Sequence, residues 1–178
     1  MKKIVLILLA SVSFIFADGF TLKSDDFSGQ LTDAQVFNGF GCMGKNISPS
    51  LSWENAPAGT KSFAITMYDK DAPTGSGWWH WIVVDIPKDV TSLKQNSGNI
   101  SLDLMPKGAI QTRTDYGQGG FGGACPPVGH GPHQYVITVH ALNIEKLGVD
   151  EEALPGLVGF MINAHTIGKA SVIAYYGR

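Results

Sequence analysis

The sequence has no excess of basic residues. Its 178 residues include 13 Lys plus Arg against 15 Asp plus Glu, which gives a formal net charge of −2. A protein that binds nucleic acid neutralises several backbone phosphates with lysines and arginines. The composition therefore predicts no nucleic-acid partner. With 44% hydrophobic and 16% charged residues, the chain can bury a core and is not expected to be disordered.

The N-terminal apolar run is too short to cross a bilayer. It extends from Ile4 to Phe16, whereas a spanning helix needs about 20 residues. Lys2 and Lys3 precede the run and Ala17 follows it, an arrangement typical of a cleavable export signal. We predict a signal peptide at 1–17, a single domain at 18–178, a periplasmic or secreted location and no stable membrane anchor. A signal anchor that is never cleaved is the alternative.

Cysteine is scarce, with only Cys42 and Cys125. After export the two thiols meet an oxidising compartment, where an even count favours a disulfide. We predict a Cys42–Cys125 bridge, with two free, buried thiols as the alternative. The two cysteines are far apart and do not form a close pair in the sequence, unlike the ligands of structural zinc.

Turn residues recur between runs rich in β-branched and aromatic side chains, as in an antiparallel β protein. We predict one helix, at about Leu154 to Gly168, with Leu157, Phe160, Met161 and Ala164 on one face, and a shorter helical turn near Asn143 to Leu147. A few peripheral helices beside many strands predict a mostly β fold, an antiparallel sandwich. The candidate strands are Phe20 to Leu22, Ser50 to Trp53, Ser62 to Tyr68, Trp78 to Asp85, Tyr135 to Leu142 and Ser171 to Tyr176.

A carboxylate ends one of these strands. Asp69 continues the alternating row of Phe63, Ile65 and Met67, and a turn follows it. Alternation in the next strand places His80 in phase with Trp78 and Ile82. If the two strands pair, Asp69 approaches His80, orients the imidazole and raises its pKa. Taken alone, an Asp before Ala-Pro is more often a turn former.

A second segment combines glycine, proline and histidine. It runs from Gly117 to Tyr135 and includes Gly122-Gly123-Ala124-Cys125-Pro126-Pro127. Backbone N–H groups of such a loop can converge on an anion. His133 and Tyr135 are two apart at a strand start, so both point to one face, where they offer polar tips to a pocket.

The remaining histidines have plainer interpretations. His130 and His133 are separated by Gly-Pro, which gives no defined ligand geometry, so no metal is predicted. His140, in a strand, and His165, on the helix, are expected to be structural.

Four motifs together resemble the phosphatidylethanolamine-binding protein family, in its exported bacterial branch described as Raf kinase inhibitor-like. The resemblance extends from about Phe20 to Arg178. One departure is Lys70, which stands between Asp69 and Asp71 where the family usually has proline. The motifs are Asn46-Ile47-Ser48-Pro49 with Leu51 and Trp53; Asp69 to Pro73 with Trp79-His80-Trp81; Gln111 to Gly117; and Cys125-Pro126-Pro127 through His133-Gln134-Tyr135.

The resemblance implies a β-sandwich with a small cavity for phosphate or a phosphoryl headgroup. It implies a non-catalytic binding protein that uses no cofactor and binds a small anionic ligand. An unidentified protein partner, which the protein would inhibit or regulate, and a homodimer are also expected. Matched position by position, the pocket falls on Asp69, Asp71, His80, Pro126, Pro127, His133 and Tyr135.

An anion beside Asp69 is repelled unless that charge is offset. We expect His80 to hydrogen-bond Asp69, while His133, Tyr135 and the backbone N–H groups of 122–127 receive the phosphoryl oxygens. A zwitterion could instead place its ammonium at Asp69 or Asp71.

Two other classes of function remain open. In a hydrolase, His80 oriented by Asp69 would act as general base. In a protein-interaction module, residues 78–81 would contact a partner protein.

Overall fold

The computed structural model describes residues 19–178. The predicted signal peptide lies outside the described residues, and the domain boundary at residue 18 stays a prediction. Within 19–178 there are ten strands and one α-helix, α1 (Pro155–His165). The strands are β1 (Thr21–Lys23), β2 (Asn38–Gly39), β3 (Cys42–Met43), β4 (Leu51–Glu54), β5 (Ser62–Asp69), β6 (Trp78–Pro87), β7 (Ser92–Leu93), β8 (Ile110–Gln111), β9 (His133–Leu142) and β10 (Thr166–Tyr176).

Two antiparallel sheets enclose the main core. One has the strand order β10-β9-β5-β6-β8, the other β1-β4-β7, and β2 pairs with β3 in a separate hairpin. Alternate side chains of β5 and β9, such as Phe63, Met67 and Ile137, point between the two larger sheets and join Trp53 of β4 in one buried cluster. The opposite face of the five-stranded sheet packs against α1. The predicted mostly β, sandwich-like fold is confirmed.

All six predicted strands form, with small shifts at their ends. β10 begins earlier than expected, at Thr166, because it pairs along nearly all of β9, from Thr166 with Leu142 to Tyr176 with His133. That pairing ends the helix at His165, three residues before the predicted Gly168. The helical turn expected at Asn143 to Leu147 is wrong, since this segment has no helical hydrogen bonding.

The apolar face of the helix is only partly buried. Leu157 and Phe160 are 54% and 69% exposed, whereas Val158, Gly159 and Ile162 are buried. The reason is close packing at Gly159, where an added Cβ would lie 3.2 Å from the Trp79 ring. Because glycine lets the helix approach Trp79, its small-residue side turns inward.

His140 and His165 both lie in structural surroundings. His140 on β9 is buried, with ring nitrogens 3.3 Å from the hydroxyls of Thr66 and Thr166, and burial lowers its pKa to about 4. Nδ1 of His165 lies 3.2 Å from the Asn143 side-chain oxygen. The one helix among residues 19–178 is too short to span a membrane.

The predicted disulfide is confirmed. Cys42 of β3 and Cys125 are joined, with 6.0 Å between their Cα atoms and a sequence separation of 83. The bond ties the β2–β3 hairpin to the glycine-rich segment. No other cysteine exists in the chain, so no free thiol remains.

We expect the double variant Cys42→Ser/Cys125→Ser to fold with a lower free energy of unfolding. Closing a loop of this length stabilises by about 4 to 5 kcal/mol in the chain-entropy model, and measured values are often smaller. Urea unfolding of the oxidised protein and the variant measures the difference. As a control, a reductant should lower the stability of the unmodified protein and leave the variant unchanged; equal stability of the two proteins would contradict the prediction.

Candidate functional site

A bulge in β6 turns His80 toward the main core. In the pairing of β5 with β6, Tyr68 is opposite Trp79 and Met67 is opposite Trp81, which leaves His80 as the extra residue. Trp81 then joins the core between the sheets, while Ile82 joins the cluster beneath the helix. His80 therefore shares a face with Asp69 but not with Ile82, contrary to simple alternation.

Asp69 is paired with His133 rather than with His80. Its Oδ2 lies 2.7 Å from His133 Nδ1, and its Oδ1 accepts a 2.9 Å hydrogen bond from the Asp71 backbone N–H. Asp69 and His133 are only 3% and 1% exposed. The prediction that His80 offsets the Asp69 charge is wrong; His133 does so, with Nδ1–H as donor.

His133 is bonded at both ring nitrogens. Its Nε2 lies 2.8 Å from Nδ1 of the exposed His130. Asp69, His133 and His130 thus form a hydrogen-bonded row from the interior to the surface. In this arrangement His133 positions Asp69 and has no nitrogen left over for a ligand oxygen.

His80 is held by the glycine-rich segment. Its Nδ1 donates to the Gly122 carbonyl at 2.8 Å, and its own carbonyl accepts from the Gly122 N–H at 2.9 Å. Burial lowers the pKa of His80, and the Gly122 hydrogen bond and the Asp69 charge only partly oppose this. The expected rise in pKa is wrong: the buried ring is neutral near pH 7, with a lone pair on Nε2.

These residues surround a cavity of about 170 Å³. It is smaller than the roughly 300–1,000 Å³ of sites for drug-sized ligands, and suits an ion or a headgroup. Its wall is mostly aromatic and proline side chains around one carboxylate and two imidazoles. The lining residues are Phe40, Asp69, Ala72, Pro73, Trp78, His80, Tyr116, Cys125, Pro126, Pro127, His133 and Tyr135.

Two side chains of this wall carry buried hydrogen-bond donors that are unused. The hydroxyl of Tyr135 and the indole Nε1–H of Trp78 are buried, and neither has a hydrogen-bond partner within residues 19–178. Burial, with the nearby Asp69 charge, raises the pKa of Tyr135, so its hydroxyl keeps its proton. Because most buried polar groups are paired, two such donors on one cavity wall mark a place for an acceptor.

The glycine-rich segment owes its composition to close packing. A Cβ at Gly123 would lie 2.3 Å from the Gln35 carbonyl oxygen, and one at Gly122 would lie 2.2 Å from the Tyr116 ring. Gly122 N–H, Gly123 N–H and Ala124 N–H donate to His80, Asn46 and Gln35. Prolines have no N–H, so the expectation that 122–127 offers several donors to an anion is wrong; at most the Cys125 N–H is left.

Arg178 and the disulfide fix the lip of the cavity. The Arg178 guanidinium donates to the Pro126 carbonyl at 2.6 Å and to the Gly41 carbonyl at 2.8 Å. The disulfide joins the same two segments through Cys42 and Cys125. Pro126 is buried and Pro127 is exposed at this lip.

Six of the seven predicted site residues line one cavity. Asp71 lies beside it: its carboxylate accepts from Lys70 at 2.7 Å and from the Gln134 backbone N–H at 2.8 Å. The Lys70 bond, with that from Gln134, lowers the pKa of Asp71 below its usual 3.8. Asp71 therefore holds the turn beside Asp69. The ligand-binding roles of all seven residues stay predictions.

The pair proposed for a hydrolase does not form, because Asp69 is bonded to His133 and His80 to Gly122. Residues 19–178 contain no cluster of three or more His, Cys, Asp or Glu side chains arranged to hold a metal ion.

Six residues of the cavity wall lie outside the predicted ligand set: Phe40, Ala72, Pro73, Trp78, Tyr116 and Cys125. Tyr116 was visible as a member of a motif and Trp78 as the start of a strand, but no pattern marked them as wall residues. Phe40 and Arg178 reach the lip through a hairpin turn and the end of β10, which spacing in the sequence does not reveal.

Comparison with known proteins agrees with this architecture. Residues 27–177 match the family described as phosphatidylethanolamine-binding protein. The UPF0098 proteins YbcL and YbhB of Escherichia coli K12 are 54% and 52% identical over 147 residues, or 83% of this chain and 80% and 92% of theirs.

Solved structures give the same result. The crystal structure of E. coli YbcL, described as a member of the mammalian PEBP family, has a TM-score of 0.88 at 50% identity and covers 90% of this chain and 99% of its own. CT736 of Chlamydia trachomatis, described as a PEBP homologue, has a TM-score of 0.70 at 25% identity, covering 90% and 98%.

We expect nitrogen NMR at pH 7 to show His80 as a neutral ring with hydrogen on Nδ1 and none on Nε2. Gly122 O can only accept, so Nδ1 must donate, and burial disfavours the second proton. A His80→Gln variant assigns the signals. A cationic His80 ring at pH 7, or hydrogen on Nε2 alone, would contradict this geometry.

Proposed function

This chain belongs to the phosphatidylethanolamine-binding protein family, and we propose that it is an exported, non-catalytic protein whose cavity binds the phosphoryl group of a small anion or headgroup. The periplasmic or secreted location rests on the N-terminal sequence, and the disulfide fits an oxidising compartment. A protein partner and a homodimer belong to the same proposal and follow from the family resemblance alone.

The observation that carries the proposal is the pair of unused donors, Tyr135 O–H and Trp78 Nε1–H, on the wall of one small cavity. Phosphoryl oxygens are strong acceptors, and hydrogen bonds to a charged acceptor are about twice as strong as neutral ones. A phosphoryl group has three acceptor oxygens, so one that enters between Tyr135 and Trp78 offers an acceptor to each donor. An apolar ligand would satisfy neither.

The charge of Asp69 does not forbid an anion here. The His133 Nδ1–H and the Asp71 N–H already donate to its two oxygens, which spreads the negative charge away from the cavity. An ammonium group on the same ligand would also be accommodated, since Trp78, Tyr116 and Phe40 present aromatic rings to the cavity. A phosphoryl group esterified to an amino alcohol therefore fits both parts of the wall.

Because the His80 ring is neutral, binding of a phosphoryl group requires one additional proton. Its Nε2 lone pair is an acceptor, so it repels a fully ionised phosphate oxygen but accepts from a P–OH group. Alternatively the ring itself takes the proton and donates. In both cases the complex holds one proton more than the separated partners do above pH 7.

The wall supports binding more than catalysis. In the described chain it includes no serine or threonine hydroxyl, and its cysteine is in a disulfide. A covalent mechanism would lack its usual nucleophiles. Chromogenic phosphate and acyl esters test the hydrolase alternative: turnover that is lost in His80→Ala would refute the non-catalytic proposal.

We expect inorganic phosphate and phosphoethanolamine to bind more tightly at pH 5.5 than at pH 8. A phosphate monoester takes its second proton near pH 6, so the protonated complex weakens as pH rises through that value, by about tenfold or more over this range. Titration calorimetry measures both affinities. Sulfate, which carries no proton in this range, is the control: its affinity should rise only as His80 becomes protonated, below its usual 6.5. Equal or tighter phosphate binding at pH 8 would count against the proposal.

Tyr135→Phe should separate ligand binding from stability. The substitution removes one hydroxyl that has no partner in the protein, so the free energy of unfolding should stay the same or rise. Phosphate affinity should fall about 10- to 100-fold, since a hydrogen bond to a charged group contributes roughly 1.5–3 kcal/mol. Thermal unfolding and calorimetry measure the two effects. Tyr175→Phe, at an exposed tyrosine outside the cavity, is the matched control, and unchanged affinity in Tyr135→Phe would remove the main support for the site.

A further inference from the structure

A second cavity lies on the outer face of the five-stranded sheet, and we name it the outer cavity. Its volume is about 340 Å³, within the roughly 300–1,000 Å³ typical of sites for small organic ligands. Its floor includes Thr66, Val136 and Thr138 of β5 and β9, and α1 forms one wall. Because neighbouring side chains of a strand point to opposite faces, the outer cavity shares these strands with the phosphoryl cavity but shares no side chain with it.

Two aromatic rings give the outer cavity an apolar end. Trp79 and Tyr68 have ring centroids 4.7 Å apart, and both half-buried side chains line the cavity. Gly159 of α1 packs against the Trp79 ring, where an added Cβ would lie 3.2 Å from it. The protein itself therefore fixes a flat apolar surface against which an aromatic ligand can pack.

The opposite end carries a positive charge that no carboxylate offsets. Lys169 of β10 is paired with His140 of β9, so the two side chains point to the same face. No carboxylate of residues 19–178 forms an ion pair with Lys169, and the described lining contains no Asp or Glu. Lys70, the other lysine of the lining, is paired with Asp71. Lys169 is therefore the cation that is free to bind an anionic ligand.

The imidazole of the floor is already paired at both nitrogens. Thr166 Oγ1 donates to the Ile162 carbonyl at 2.7 Å, so it accepts from His140 Nδ1 at 3.3 Å. The other ring nitrogen, Nε2, then accepts from the Thr66 hydroxyl at 3.3 Å. Burial, with the Lys169 charge, lowers the pKa of His140 to about 4, so the ring is neutral at pH 7. His140 therefore holds the floor together, and Lys169 is left to bind the ligand.

The spacing along β9 sets the length of a ligand that reaches both ends. Tyr68 is opposite Val136, and Val136 lies four residues before His140, which is about 13 Å along an extended strand. The flexible stem of Lys169 can shorten this gap. A two-ring aromatic acid therefore has the length to contact the lysine at one end and the aromatic pair at the other.

We propose that the outer cavity binds an aromatic carboxylate, with the carboxylate at Lys169 and the Asn163 amide and the rings against Trp79. An inorganic anion would use only the polar end, and a neutral apolar molecule only the aromatic end. An aromatic acid combines charge-assisted hydrogen bonds with the burial of apolar surface. This site is separate from the phosphoryl cavity and does not depend on the proposed function.

The test uses two probes of the same shape, 2-naphthylacetate and its uncharged amide, 2-naphthylacetamide. NMR titration of the purified protein at pH 7 gives both affinities and follows the indole N–H of Trp79 and the ring of His140. Lys169→Gln removes the charge from the cavity. Lys88→Gln, at an exposed lysine outside the lining, is the matched control.

A second pair of variants tests the shape of the site. Asn163→Trp places a large side chain in the wall that α1 forms. Ala164→Trp adds the same side chain at the next residue of the helix, which is exposed and does not line the cavity. Both changes lie on the helix surface, so both proteins should fold.

We expect naphthylacetate to bind about five- to tenfold more tightly than naphthylacetamide, because a partly exposed lysine gives a modest charge-assisted bond. Lys169→Gln should abolish this preference, and Lys88→Gln should keep it. Asn163→Trp should weaken both probes about tenfold through lost burial of apolar surface, and Ala164→Trp should weaken neither. The signals of Trp79 and His140 should shift on binding.

The proposal is overturned if naphthylacetate does not bind, if the two probes bind equally well, or if Lys88→Gln loses the preference too. It is also overturned if Asn163→Trp changes neither affinity, or if saturating phosphoethanolamine displaces the probe, which would place the probe in the phosphoryl cavity. Loss of phosphoethanolamine binding alone, with naphthylacetate still bound, would refute the proposed function and leave the outer cavity standing.

Discussion

The site depends on one buried carboxylate at the end of a central strand. Asp69 closes β5, where its register places it opposite Trp78 of β6 and Tyr135 of β9. The two unused donors of the cavity belong to these same two neighbours. A buried carboxylate is tolerated only when hydrogen bonds replace its hydration, and the Asp71 N–H and His133 supply them. The turn after β5 and the start of β9 are therefore both fixed by the requirement to satisfy Asp69.

The sequence predicted the parts of the site that follow from alternation and local order. Asp69, His133 and Tyr135 belong to regular strands, so period-two reasoning placed Asp69 in the core-facing row of its strand and placed His133 and Tyr135 together on one face of theirs. His80 did not follow this rule, because the bulge at Met67/Tyr68 adds a residue to β6. A bulge leaves no sign in hydrophobic periodicity, and Ile82 was assigned to the wrong face for that reason. The same bulge accounts for the difference between the predicted and the observed hydrogen-bond partners. His80 turns toward Gly122, and His133 instead of His80 contacts Asp69.

Glycine was the second source of error. A glycine-rich segment beside a cavity suggests free backbone N–H groups, yet Gly122 and Gly123 are required by neighbours closer than any Cβ allows. The same effect operates in α1, where Gly159 meets Trp79 while Leu157 and Phe160 are exposed. In both places glycine allows close approach between elements that are distant in sequence. Periodicity carries no information on such contacts, whereas composition and motif order were sufficient for the fold.

A cavity with unused donors is itself destabilising, because Tyr135 and Trp78 lose hydration without gaining partners until a ligand arrives. The surrounding structure must offset that cost and prevent the lip from collapsing onto the donors. A covalent link between β3 and Cys125, with Arg178 bonded to both Pro126 and Gly41, resists such a collapse from two sides. The disulfide therefore acts on the site by fixing the β2–β3 hairpin against the glycine-rich segment, so that neither segment is free to move into the cavity.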